Sequence, residues 1–98
     1  MDNIKMVELV PCDNRNSFYG KAHVFIQSNI YRLQSYDTIV AYWNDEDKTF
    51  VKLWGYSATT MRHINSFMRY LGFNLGGKTW WDSLEYGKKY TISELLNA

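Results

Sequence analysis

Cysteine is nearly absent: Cys12 is the single one in 98 residues. That excludes an intrachain disulfide, and one cysteine with two histidines cannot by itself complete an ordinary zinc site. An excess of either charge is missing too. Eleven basic and ten acidic residues leave a net charge of +1, which is not the footprint of a protein that lives on duplex DNA. No apolar run approaches membrane-spanning length, and the opening "MDNIKMVELV" is too polar for a signal peptide. There is no internal repeat and no low-complexity tract. The expectation is a cytoplasmic protein in a reducing setting, with no membrane partner, metal or cofactor. What is present is apolar: a hydrophobic fraction of 46% and an aromatic fraction of 17% argue for a folded globule. Residues 1–98 suffice for one domain with a two-layer core.

Residues Gly72 to Thr79 spell G-x-x-x-x-G-K-T, the consensus of a phosphate-cradling loop. Such a loop works where it leaves a buried parallel strand and runs into a helix whose N-terminus faces the anion. Here Met61, Ile64, Met68 and Leu71, with Phe67 beside them, form one apolar stripe at helical spacing ahead of it. Gly72 then stands where helices stop, in the left-handed position past the last turn. Little chain follows Thr79, too little for the repeated strand–helix units of a nucleotide-binding sheet. The glycines are expected to be a helix stop followed by a tight turn.

Strand signals run through the first half. Residues 4–10 end at Pro11, and residues 12–20 are turn-rich. Residues 21–27 alternate, with Ala22, Val24 and Ile26 opposite His23, Phe25 and Gln27. Residues 30–36 alternate as well, with Ile30, Arg32 and Gln34 opposite Tyr31, Leu33 and Ser35. "TIVAYW" reads as a central strand, "NDED" as a reversal, and "KTFVKLWGY" as a further strand. Ser57 or Thr59 caps the helix that follows. "TWWDSL" makes one helical turn, and Thr91 to Glu94 carries a capping-box pattern for a short terminal helix. The fold class is α+β: an antiparallel meander of four to five strands, one main amphipathic helix on one face, and short C-terminal helical turns.

Catalysis needs a nucleophile, a base and an orienting group within reach of one another, and nothing in the sequence assembles them. Cys12 is expected to be an inert thiol, His23 a half-buried strand residue, and Asp45, Glu46 and Asp47 solvated turn carboxylates. Two surfaces are candidates for binding. On the helix, Arg62, Asn65, Ser66 and Arg69 lie opposite the apolar stripe; they form either a solvated face or a cationic contact strip. On the sheet, Phe50, Lys52 and Trp54 share one side. They look outward if the helix covers the aliphatic side, and inward if Trp80 and Trp81 fold back over them.

Three segments, "NSFYGKA", "SYDTIVAYW" and "LWGYSATTMRHINSFM", resemble a family of small proteins encoded by phages and integrative elements of Gram-positive bacteria. The resemblance covers residues 16–82. Ser57, Thr59 and Thr60 then read as caps of the first helical turn. Asp37 reads as a partner of that turn, of Arg62 or of His63, in a structural role. The resemblance implies a non-enzymatic accessory protein in a host bacterial cell. By analogy of life-style it binds and inhibits a host protein, for example a defence nuclease, as an anti-CRISPR protein does. The alternatives are a module that binds nucleic acid directly through Arg62, Arg69 and sheet aromatics, and a phage structural or assembly protein that forms a homodimer.

Overall fold

The computed structural model describes residues 3–13 and 17–98; residues 14–16 of the expected turn lie outside them. Six strands form one sheet: β1 (Lys5–Glu8), β2 (Ala22–Gln27), β3 (Ile30–Ser35), β4 (Thr38–Asn44), β5 (Thr49–Lys52) and β6 (Lys89–Thr91). They lie in the order β1-β2-β3-β4-β5-β6, each antiparallel to its neighbour. The helices α1 (Ala58–Tyr70) and α2 (Lys78–Asp82) fall between β5 and β6, and α3 (Ile92–Leu96) closes the chain. This is the α+β meander expected, with one strand more than the four to five foreseen. The addition is β6, whose three residues are too few to show a period; pairing with β5 recruits it and buries Tyr90 beside Phe50.

Turn chemistry sets the register. Ser28 and Asn29 both take left-handed backbones, φ 50° and 71°, the pair a type I′ hairpin needs. Gln27 then faces Ile30, Val24 faces Leu33, and the alternation read from the sequence carries into space. A register shift between Leu33 and Gln34 places Val40 as an extra residue in β4, so Val40 and Ala41 are both buried. One face collects Ala22, Val24, Leu33, Ala41, Trp43 and Phe50, all in the core. The opposite face carries Phe25, Arg32, Tyr42 and Thr49, and no helix covers it.

Against the apolar face lies α1, with Met61, Ile64, Phe67 and Met68 buried. Ser57 caps it by accepting from the Thr60 N–H at 3.1 Å. Its far end is a Schellman motif: the Phe73 N–H reaches the Met68 carbonyl and the Gly72 N–H the Arg69 carbonyl, with Gly72 at φ 94°. Phe73 then packs edge-on against Trp43, their centroids 5.1 Å apart. After the turn, α2 drops Trp80 and Trp81 onto Phe50.

That packing corrects the outward reading of Phe50 and Lys52. Phe50 is 0% exposed beneath the two indoles, and Lys52 is buried beside it. The Lys52 ammonium donates to the Trp81 carbonyl at 2.8 Å and the Leu84 carbonyl at 3.0 Å, at the C-terminal end of α2. A cation there satisfies carbonyls that the helix itself leaves free. Burial lowers the lysine's pKa, with Asp82 pulling the other way. Among the described residues, no helix is long and apolar enough to cross a membrane.

Candidate functional site

The helix strip of Arg62, Asn65 and Arg69 is divided among other duties. The Arg62 guanidinium lies 2.7 Å from Asp13 and 5.1 Å from the centre of the Phe18 ring. Ser66 is buried and accepts from the Cys12 N–H at 3.0 Å. Asn65 accepts from the Gly77 N–H at 2.8 Å. Cys12, Asp13 and Phe18 therefore cover the flank of α1 that helical periodicity assigns to solvent; a helical wheel cannot show residues distant in the chain that return to it. Arg69 stays exposed, while the charge of Arg62 is met by Asp13.

Behind that flank runs a chain of polar groups that starts at exposed Ser57 and is buried from Thr60 inward. The Ser57 hydroxyl donates to Thr60 Oγ1 at 3.2 Å, Thr60 Oγ1 meets Ser35 Oγ at 3.0 Å, and Ser35 Oγ meets His63 Nδ1 at 2.7 Å. These bonds join the start of α1 to the end of β3. A hydroxyl and an imidazole at this distance have the makings of a nucleophile and its base. Here Ser35 is 2% and His63 0% exposed, with the Phe18 and Tyr36 rings against the imidazole, so a substrate carbonyl has no approach. Asp37 takes none of the roles expected of it. It is exposed in the β3–β4 turn, while Arg62 turns to Asp13 and His63 to Ser35. Thr59 lies in the first turn of α1, where Ser57 alone supplies the cap oxygen.

The G-x-x-x-x-G-K-T stretch follows a helix in an antiparallel sheet, so its loop has no parallel strand to leave. Lys78 and Thr79 are exposed on a five-residue helix. Gly76, at φ 155°, presses on Asn65, and an added Cβ would overlap the carboxamide oxygen that holds the Gly77 N–H. Gly76→Ala is expected to lower unfolding free energy by about 1–3 kcal/mol, the range of a strained backbone position. In urea titrations Asn65→Ala should remove part of that cost, since it removes the atom struck.

One surface stays apolar and uncovered. Trp54 and Tyr86 are each 61% exposed, with Leu53 partly exposed beside them. With Gly55 they line a recess of about 450 Å³. Trp54 also borders a second recess with Tyr56, Ser57 and Thr60. The floor is firm. Gly87 N–H bonds the Lys52 carbonyl at 2.8 Å, and the Lys52 ammonium sits 4.5 Å from the centre of the Tyr86 ring. Of the three sheet residues proposed for binding, Trp54 faces outward, because it lies beyond the last paired residue of β5.

A family of unknown function, DUF8033, matches residues 7–83, well over half of the chain. The chain belongs to the DUF8033 family. No curated protein and no solved structure matches it. The matched span runs from β1 to the end of α2 and includes Trp54 but not Tyr86. Tyr86 escapes the sequence reading of this DUF8033 chain because "SLEYGKK" has no period; a parallel bridge between Lys52 and Tyr86 brings it to Trp54. Among the described residues, no group of three or more His, Cys, Asp or Glu is placed to hold a metal ion.

Proposed function

We propose that this DUF8033 chain is a non-enzymatic accessory protein of a mobile element that binds a host protein and occupies its surface. The observation that carries the reading is the Trp54–Tyr86 patch. Exposed tryptophan and tyrosine, here lining a recess, are among the side chains that dominate protein interfaces. The burial of the Ser35–His63 pair supports a binding role over a hydrolytic one. The mobile-element origin rests on the resemblance of the "SYDT" and "YSATTMRHI" segments, and a nucleic-acid-processing effector as the partner rests on analogy of life-style.

The test is affinity capture from a nuclease-treated lysate of the bacterium that carries the gene, with wild-type protein and Trp54→Ala/Tyr86→Ala as baits. A partner protein retained by the wild type should bind the double variant about 10- to 100-fold more weakly, as expected for loss of a hot spot. The variant's thermal midpoint should stay near that of the wild type, since both side chains are largely exposed. A partner held equally by both baits overturns the site. A wild-type dimer in sedimentation that the double variant cannot form would replace the host protein with a second copy of this chain.

A further inference from the structure

The face of the sheet turned away from the helices carries one continuous row. Met6 pairs with Phe25, Phe25 with Arg32, Arg32 with Tyr42, Tyr42 with Val51 and Val51 with Lys89. Strands lie about 4.8 Å apart, so Phe25 and Tyr42 flank Arg32 at roughly 10 Å from each other. The next row supplies Gln27, Ile30, Asn44 and Thr49. A recess of about 300 Å³ opens between Ile30, Arg32, Tyr42, Asn44, Thr49 and Lys89.

Charge narrows the choice of occupant. Among the described residues, neither Arg32 nor Lys89 forms an ion pair with a carboxylate. The acid that register puts on this face is Glu8, on the edge strand opposite His23. A ligand here meets Arg32 between the Phe25 and Tyr42 rings, and Lys89 two strands beyond Tyr42. Rings and a guanidinium stack bases, and cations neutralise phosphates. A duplex fits poorly, because its major groove admits a helix or a two-stranded ribbon, not the broad face of a sheet. A second copy fits poorly too. Two-fold stacking lays the row on its own copy and brings the cations of both together in a dry interface.

We propose that this face binds single-stranded nucleic acid, with bases stacked on Phe25 and Tyr42 and phosphates at Arg32 and Lys89. The proposal stands apart from the Trp54–Tyr86 surface and does not need it.

The experiment is fluorescence anisotropy of labelled single-stranded DNA and RNA of mixed sequence, titrated with the full chain across a salt series. Two phosphate contacts predict a log–log salt slope of about −1.4. Phe25→Ala/Tyr42→Ala should weaken binding about tenfold or more, the scale of losing stacked bases. Arg32→Gln should flatten the slope by about 0.7, and Trp54→Ala should change nothing. If the double ring variant fails to fold, the Arg32→Gln slope decides. Failure to saturate at protein concentrations on the order of 100 µM at low salt overturns the proposal, that being the weak limit of non-specific binding. So does undiminished binding by the folded double variant. Competition by poly-glutamate as effective as that by an unlabelled oligonucleotide would assign the face to an acidic protein surface.

Discussion

Trp81→Ala should lower unfolding free energy by about 3–5 kcal/mol, the cost of emptying a large aromatic site in a packed core. Trp81 is 0% exposed and heads the fully buried side chains by volume. Its ring meets Phe50 and Trp80 with centroids 6.1 and 6.0 Å apart, and the Lys52 ammonium lies 5.3 Å from its centre. The loss reaches beyond one cavity. The Trp81 carbonyl is a hydrogen-bond acceptor for Lys52, so a collapse of α2 would leave a buried ammonium short of a partner. A domain of this size has about 5–15 kcal/mol in all, so the midpoint should fall by roughly 15 °C or more. Trp81→Phe should cost much less. It keeps a ring in the site and removes an indole N–H that is buried without a hydrogen-bond partner. Chemical denaturation of the three proteins, with exposed Trp54→Ala as a control near zero, checks the ranking. An alanine variant within 1 kcal/mol of wild type would mean that α2 does not close the core as described.

The strands and α1 were legible because their signals are local. Alternation in β2 and β3, the Ser57 cap and the stop at Gly72 each depend on a few adjacent residues, and each stands in the structure where the sequence places it. The direction of β5 was not. Alternation separates Phe50 and Lys52 from Val51 but does not say which set meets the helices. The answer lies in Trp80 and Trp81, about thirty residues away in the chain, and in the shift at Val40 that interrupts a count of parity from β3. Lys52 misleads for a related reason. A lysine in a strand ordinarily marks a solvated face, whereas here carbonyls at the end of α2 receive its charge.

The candidate surfaces divide in the same way. Trp54 was legible as a candidate ring whose side was left open with that of Phe50, and Tyr86 reaches it through a single bridge. Phe25 and Arg32 were each assigned a side of their own strand, and Tyr42 only a place in a central strand. What makes them one row is cross-strand register, set by the left-handed pair at Ser28 and Asn29. Arg62 was read as a surface charge because its partner, Asp13, lies in a turn-rich segment with no period to place it.

Acid should destabilise the protein through His63 well before its carboxylates titrate. Burial, and then the neighbouring Arg62 charge, push the His63 pKa from 6.5 down to about 4. The protonated imidazole would need a partner at each nitrogen. Nδ1 faces the Ser35 hydroxyl, while Nε2 is buried without a hydrogen bond. Between pH 4 and 6.5 the unfolded chain therefore binds a proton that the folded chain refuses, and stability rises with pH across that window. The contribution is fully present above about pH 6.5 and lost as the pH falls towards 4, for a total of about 3 kcal/mol. Asp45 and Glu94, whose carboxyls are held below their usual range by Lys48 and Thr91, act in the same sense, losing stability in acid, but at lower pH. Urea titrations at intervals from pH 7.5 to 4 should show the decline in the wild type. His63→Asn, which keeps an acceptor for Ser35, should be less stable at pH 7 and nearly flat from pH 6.5 to about 4.5. An equally steep decline in that variant would move the effect to another group and leave the buried imidazole a spectator.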